Sequence, residues 1–542
     1  MTGIKKINLI SAVLVSLSLC GGCTLEKAGN SSQDQTVQED NETEQVKAEK
    51  AEKEEINEIH LRDKDSLYEN DDDTSVVTMY LTVSKGNSSE NTYHTWKEIN
   101  SYSVYDYEDM GVERYQVAGL LQVGDENGPT QGEVGYGESV PNATVQIRGQ
   151  TSSQNAQKNY KIELKKNKGT WRGQRTINLN KHMTEGMRFR NKLAYDLIRG
   201  IPQMVGLRTQ FVHLYVKDNT EESGVKFEDY GIYTQVEQLN KTALKSHGLD
   251  SNGQLYKINS FEFYRYEDII KKEDDAGYDK TAFEKMLEIK GDSDHTKLID
   301  MLTDLNDYSI GIEDVLKEHF DEENIVYWMA FQILVGNSDT QSRNCYLYSP
   351  TNSPIWYILP WDNDGSFFNT EWALKKNTNR GSWEVGVSNY WGNILFQRCL
   401  KSDAFREKLD QVIEELRRYL SEERLEEMVE QYAGVVQPYV EKMPDQLNEP
   451  LTPEEYEQVK AGLPKEVEQN YEMYRESLEK PMPFYIGRPV TENGKLKINW
   501  DASYDFDAED ITYSVEIARD YQFTQVIYKE EQTLIPEILV DI

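Results

Sequence analysis

Residues 324–368 read NIVYWMAFQILVGNSDTQSRNCYLYSPTNSPIWYILPWDNDGSFF. From Ile325 to Val335 apolar residues occupy all sides of a helical projection but one, which predicts a buried central helix. That helix ends at Gly336-Asn337-Ser338-Asp339. Two short apolar runs, Cys345–Tyr348 and Ile355–Leu359, predict a hairpin, and Pro360-Trp361-Asp362-Asn363-Asp364-Gly365 follows it. Two loops thus deliver carboxylates and one carboxamide to a common place. Hard oxygen donors of that kind suit Mg²⁺, which takes one or two protein ligands and fills the rest of its shell with phosphate oxygens and water.

The order is informative. Protein kinases use an Asp that orients the attacking hydroxyl, an Asn five positions on, and a second Asp beyond a hairpin. Here Asp339 is followed by Asn344 and, past the hairpin, Asp362. The His-Arg that precedes the first Asp in kinases is replaced by Asn337-Ser338, and there is no Asp-Phe-Gly. Each residue also has a plainer reading: Asp339, Asn344 and Asp364 can cap turns, and Trp356, Tyr357 and Trp361 can pack a core. A carboxylate-dependent hydrolase also uses paired acids, but it supplies no reason for the Asp-to-Asn spacing.

Working outward, Ser75 to about Asn240 is strand-rich. Val76–Val83, Thr144–Gly149, Tyr160–Leu164, Phe211–Val216 and Tyr230–Val236 predict strands, interrupted by a helix over Arg188–Ile201 with one apolar face. Gly253–Lys257 adds a short strand. From Tyr278 to Leu478 the periodicity is helical, with Pro453 and Pro464 at first helical positions. The fold class is α+β, a strand-rich half followed by a helix-rich half with a cleft between them. Arg148 opens a polar turn without a glycine repeat, and Lys158 and Lys161 flank Tyr160. All three are candidates to meet nucleotide phosphates, against ordinary solvation. Glu237 is left between pairing with a lysine and lying near an adenine.

The N-terminus has Lys5 and Lys6, an apolar run from Leu9 to Leu19 too short to span a bilayer, and Gly21-Gly22-Cys23. Residues 1–23 read as a lipoprotein signal with Cys23 as lipid acceptor; plain secretion is the alternative. An acidic stretch over 24–74 is too poor in apolar residues to fold and reads as a tether. After Pro481–Pro483, Lys495–Trp500 and Ile511–Ala518 predict strands of a partial β-sandwich similar to fibronectin type III over 483–542. The 542 residues carry 59 basic and 95 acidic side chains, net −36. Such a surface repels nucleic acid and suits a basic protein partner.

Seven motifs in order, Arg148-Gly149 with Ser152-Ser153, Lys158–Ile162, Arg190-Asn191-Lys192-Leu193-Ala194, Tyr230–Tyr233 with Val236-Glu237-Gln238, Leu255-Tyr256-Lys257, Gly336–Asp339 and Pro360-Trp361-Asp362, resemble the spore coat protein H (CotH) kinase family over 75–480. The resemblance implies an atypical bilobal protein-kinase-like fold, with a strand-rich N-lobe and a helical C-lobe. It implies ATP and Mg²⁺ (or Mn²⁺) as cofactors and transfer to serine of secreted or surface proteins. By motif position Asp339 is implied as the catalytic residue and Asn344 and Asp362, with Asp364 as a neighbour, as metal ligands. The competing expectation is a non-catalytic surface-binding or adhesion protein of the same fold, held at the membrane by its lipid.

Overall fold

The computed structural model describes residues 60–221, 226–375 and 381–541. Cys23, the expected signal and residues 24–59 of the expected tether lie outside them. Strands β1 (Val76–Ser84), β2 (Val117–Asp125), β3 (Gly128–Pro129), β4 (Ala143–Arg148), β5 (Asn159–Leu164), β6 (Thr176–Asn180), β7 (Thr209–Asn219) and β8 (Glu228–Glu237) pair in the order β1-β7-β8-β6-β5-β4-β2-β3. Because β1 pairs with both β7, in parallel, and β2, antiparallel, the sheet closes on itself as a barrel. Closure was not legible in advance: β2 reads VAGLLQVGD, an apolar run with two glycines and no clean alternation. Gly119 is required there, since a Cβ would stand 2.7 Å from a Val145 methyl.

Alternation along β4 and β5 buries Val145, Ile147, Tyr160 and Ile162 inside the barrel and turns Gln146, Arg148, Lys161 and Glu163 outward. Two short helices, Trp96–Ser101 and Val104–Met110, each opened by a capping box, add Trp96, Ile99 and Tyr107 to the same core.

A second sheet runs β10-β9-β11-β12, from β9 (Gln254–Ile258), β10 (Leu287–Ile289), β11 (Cys345–Ser349) and β12 (Tyr357–Pro360). Strands β11 and β12 are the expected hairpin. The central helix, Glu322–Leu334, is buried from Asn324 to Leu334 and packs against Asp403–Tyr419 and Glu466–Leu478. Gly336 ends it with φ 68°, where a Cβ would stand 2.7 Å from the Asn470 amide that caps the Leu334 carbonyl. The chain is therefore α+β, strands first and helices after.

Three expectations are corrected. The helix Arg190–Ile198 is not one-faced: all nine residues are buried, Arg190, Asn191, Lys192 and Asp196 included. The polar members have partners that periodicity cannot reveal; Lys192 pairs with Asp196 at 2.8 Å, and Asp196 accepts from Tyr432 at 2.6 Å. The tether ends before residue 74. From His60 the chain lies on the body, with Leu61 in the core, Asp63 bonded to His247 at 2.6 Å and Asp73 to Arg199 at 2.6 Å. The acidic composition concealed this because its partners are distant in sequence.

The third correction concerns 483–542, which is not set apart from the body. Met482 is in the main core, and Tyr504 and Phe506 pack on Trp391 with ring centroids 5.1 and 5.9 Å away. Strands β13 (Val490–Glu492), β14 (Lys495–Asn499) and β17 (Glu537–Asp541) form one sheet, and β15 (Tyr513–Ala518) and β16 (Val526–Thr533) another, around Trp500, Tyr513, Ile538 and Val540. Cys345 and Cys399 are buried free thiols. Among the described residues no helix is long and apolar enough to cross a membrane.

Candidate active site

The two loops of residues 336–344 and 360–366 are fastened to each other by amides. Asn363 Oδ1 accepts from Gln332 Nε2 at 3.0 Å and from Asn337 Nδ2 at 3.5 Å. Gly365 passes so close that a Cβ there would stand 2.8 Å from Asn337 Oδ1. Asn337, which takes the place of a kinase His, is thus a tie between loops. Below them lies the buried helix: Tyr195 Oη accepts the Asp362 N–H at 3.0 Å, Asn191 Oδ1 accepts the Asn363 N–H at 3.1 Å, and Arg190 Nε donates to the Phe367 carbonyl at 2.7 Å. Arg190 is itself paired with buried Glu371 at 2.7 Å. The Arg190-Asn191-Lys192 motif is therefore the floor on which the second loop rests.

On this frame the expected residues meet. Asn344 Nδ2 donates to Asp339 Oδ2 at 2.9 Å, and Arg343 Nε lies 3.7 Å from the other Asp339 oxygen. The Asp339 side chain is 61% exposed. Surrounding chain and Asp364 push its carboxyl above the ordinary range, against Arg343 and Asn344. Burial, and then Asp364, push Asp362 up to about 6, against Arg148, His182 and Lys257. Asp364, two residues beyond Asp362, is thus among the charges that raise both carboxyls.

Arg148 ends β4, and Lys257 lies on β9 opposite Glu288 of β10. Burial lowers the pKa of each, against Asp362 for Arg148 and against Glu288 and then Asp362 for Lys257. Among the described residues neither side chain makes a hydrogen bond or a close ion pair. Two partly buried cations left in that condition are prepared for an anion. Lys257 was missed as a site residue; the signal was Leu255-Tyr256-Lys257, whose lysine is the one residue of β9 that is not fully buried.

Lys158 and Lys161 are placed elsewhere. Lys158 Nζ donates to the Ser153 carbonyl at 2.7 Å within its own turn, and Lys161 Nζ pairs with Glu163 at 2.9 Å on the outer face of β5. Glu237 meets neither a lysine nor the cleft loops: it is buried between Arg208 and His247, 2.8 Å from the His247 ring.

The donor set fits a hard divalent cation. Asp362, Asp364 and Asn344 offer oxygens, and Asp339 stands next to Asn344. Among the described residues no three His, Cys, Asp or Glu side chains gather as a ready-made metal site. Two carboxylates and a carboxamide instead match an ion completed by phosphates and water.

Comparison with known proteins follows the same boundaries. Inner spore coat protein H of Bacillus subtilis (strain 168) is 23% identical over 261 residues, covering 47% of this chain and 66% of that protein, so the chain spans just under two thirds of that relative's length. The crystal structure of a Helicobacter pylori proinflammatory kinase, CtkA, aligns with 59% of this chain and 94% of that one, at 10% identity and a TM-score of 0.26, too slight a likeness to argue from. A family model described as CotH kinase protein matches residues 145–474. That span starts in β4, takes in both loops with their supporting helix, and is more than half of the chain, which belongs to the CotH kinase protein family.

Proposed function

We propose that the protein is an atypical kinase that transfers a phosphoryl group from ATP, with Mg²⁺ or Mn²⁺, to serine hydroxyls of secreted or surface proteins. The observation that carries the reading is the tie, through Asn337 and Asn363, between the loop that holds the Asp339–Asn344 pair and the loop that holds Asp362 and Asp364, with Arg148 and Lys257 among the charges that act on Asp362. In this reading the barrel is the N-lobe and the helices are the C-lobe of a bilobal kinase-like fold.

Asp339, exposed at the mouth of the cleft, takes up or orients the serine hydroxyl proton. The serine oxygen forms a bond to the γ-phosphorus as the bond from that phosphorus to the leaving ADP oxygen breaks. Asn344, Asp362 and Asp364 would hold the divalent ion, which when bound would neutralise charge on the phosphate oxygens. Arg148 and Lys257 hold the phosphates from the barrel side. Lys158 and Lys161 keep a nucleotide role only if nucleotide binding draws them from Ser153 and Glu163.

The net charge of −36 favours basic protein substrates and disfavours nucleic acid. Anchoring outside the cytoplasm by a lipid on Cys23, with secretion as the alternative, completes the proposal. The residues after 483 are read as a partial fibronectin type III-like module. That module also supports the second reading, a non-catalytic binding protein, since Tyr521, Leu534 and Ile535 are exposed on it.

The test is incubation of the protein with labelled ATP, Mg²⁺ or Mn²⁺ and a serine-rich basic protein. Label on serine is expected, with Asp339→Ala and Asp362→Ala each reducing it by about 10²-fold or more. No incorporation together with no ATP binding by calorimetry would sink the kinase reading. Activity that survives in Asp339→Ala would overturn the role given to that residue.

A further inference from the structure

Asp364 is half open to solvent, 49% exposed, and its carboxylate has one partner among the described residues: Nδ1 of His182, 3.6 Å away. His182 is 9% exposed and follows β6 with φ 50°, a left-handed conformation uncommon outside glycine. The same Nδ1 lies 3.9 Å from Glu185 Oε2. Both carboxylates stand on the Nδ1 side of the ring beyond hydrogen-bond distance, so a proton carried on Nδ1 faces them.

Glu185 in turn cannot drift. Its Oε1 accepts the Arg190 N–H at 3.0 Å and lies 3.7 Å from the Arg190 guanidinium. Arg190 is locked on the Phe367 carbonyl and Glu371. Asp364, His182, Glu185, Arg190 and the backbone just after Asp364 therefore form a closed circuit in which every member except Asp364 is buried.

We propose that His182 is a positioning residue, whose Nδ1–H holds Asp364 turned toward Asp362 and Asn344 as a ligand for the divalent cation. The inference rests on the reading of Asp364 as a metal ligand. Carboxylates that bind metals are themselves held by hydrogen bonds, and loss of such a support costs about 10–100-fold in metal affinity.

The experiment is Mn²⁺ titration of the full chain, followed by electron paramagnetic resonance, with and without adenylyl imidodiphosphate. His182→Ala is expected to weaken Mn²⁺ binding about 10–100-fold, as Asp364→Asn does. The double variant should bind no more weakly than Asp364→Asn alone, because both changes remove one interaction. His182→Asn, which keeps an N–H donor near the Nδ1 position and tolerates the left-handed backbone, should recover most of the affinity. If the alanine variant does not fold, His182→Phe, which keeps the ring and removes the donor, takes its place. Wild-type affinity in His182→Ala beside lost binding in Asp362→Asn overturns the proposal, as does an additive double variant. Wild-type binding in Asp362→Asn would instead overturn the metal site itself.

Discussion

Asp362→Asn should stabilise the folded protein while it disables it. Burial and Asp364 hold the Asp362 carboxyl at about 6 in place of its ordinary 3.8. A carboxylate raised in this way costs stability at every pH above the folded value, since the unfolded chain ionises it more easily. The difference corresponds to about 3 kcal/mol at ~1.4 kcal/mol per pH unit. Asparagine removes the charge, keeps the shape and accepts the φ of 55°. Its amide still has to be accommodated, so the net gain expected is about 1–2 kcal/mol.

The sign has a signature. As pH falls through 6 the wild-type carboxyl protonates and the cost fades, so the advantage of asparagine is full at pH 8, shrinks from pH 6 downward and vanishes below 3.8. Urea unfolding of both forms in chelator, at pH 8, 5 and 3.5, measures it. Mg²⁺ with a non-hydrolysable ATP analogue should reverse the order at pH 8 by stabilising only the wild type. An asparagine variant less stable than wild type at pH 8 in chelator would refute the electrostatic argument, whatever it did to activity.

Three other outcomes follow from buried charges. Lys257→Met should weaken ATP binding about tenfold or more by calorimetry, and Lys161→Met by much less, since only Lys257 lacks a close partner. Asp445→Asn breaks a fully buried pair with Lys181 and should cost about 3–5 kcal/mol in urea unfolding at pH 6. Lys181 is already lowered to about 8 by burial, so the loss should lessen at pH 9 as it sheds its proton. His247, which burial would lower but Asp63 and Glu237 raise to about 9, contributes stability that is complete below pH 6.5 and lost as pH rises through 9. The melting temperature of wild type should approach that of His247→Gln over that window, and a constant gap would show the imidazole uncharged throughout.

What was legible in the sequence follows from how each element is specified. The central helix over Glu322–Leu334 and the hairpin around β11 and β12 carry their own apolar pattern and turn residues, so they appear where expected. Asp339, Asn344 and Asp362 stand out by their spacing around a helix end and a hairpin, and the fold does bond Asn344 to Asp339 and tie their loop to the one that carries Asp362. Barrel closure was hidden because β1 meets β2 and β7 through registers that no local pattern encodes. Lys257 was hidden for the opposite reason. A lysine on a strand looks solvated, and only the fold shows it largely buried opposite Glu288 and among the charges that act on Asp362, with no ion pair among the described residues.

Several residues of the site also depart from ordinary backbone conformations, as do others elsewhere in the chain. Asn344, Asp362, His182 and Phe367 all have φ between 50° and 56° without being glycine. Such residues cost about 1–3 kcal/mol each and persist only where neighbours over-determine them. Those neighbours are the polar residues that one-faced helix reading passes over: Tyr195 and Asn191 on the Asp362–Asn363 backbone, Arg190 on Phe367 and Gln332 on Asn363. Strain in the backbone and unfavourable charge at Asp362 thus fall on the same few residues. A fold without use for them would lose both by placing glycine and a neutral side chain there. Under the proposed function their joint presence on a buried floor would hold a site ready for a cation and phosphates, and stability gained at Asp362 should then come at the expense of binding.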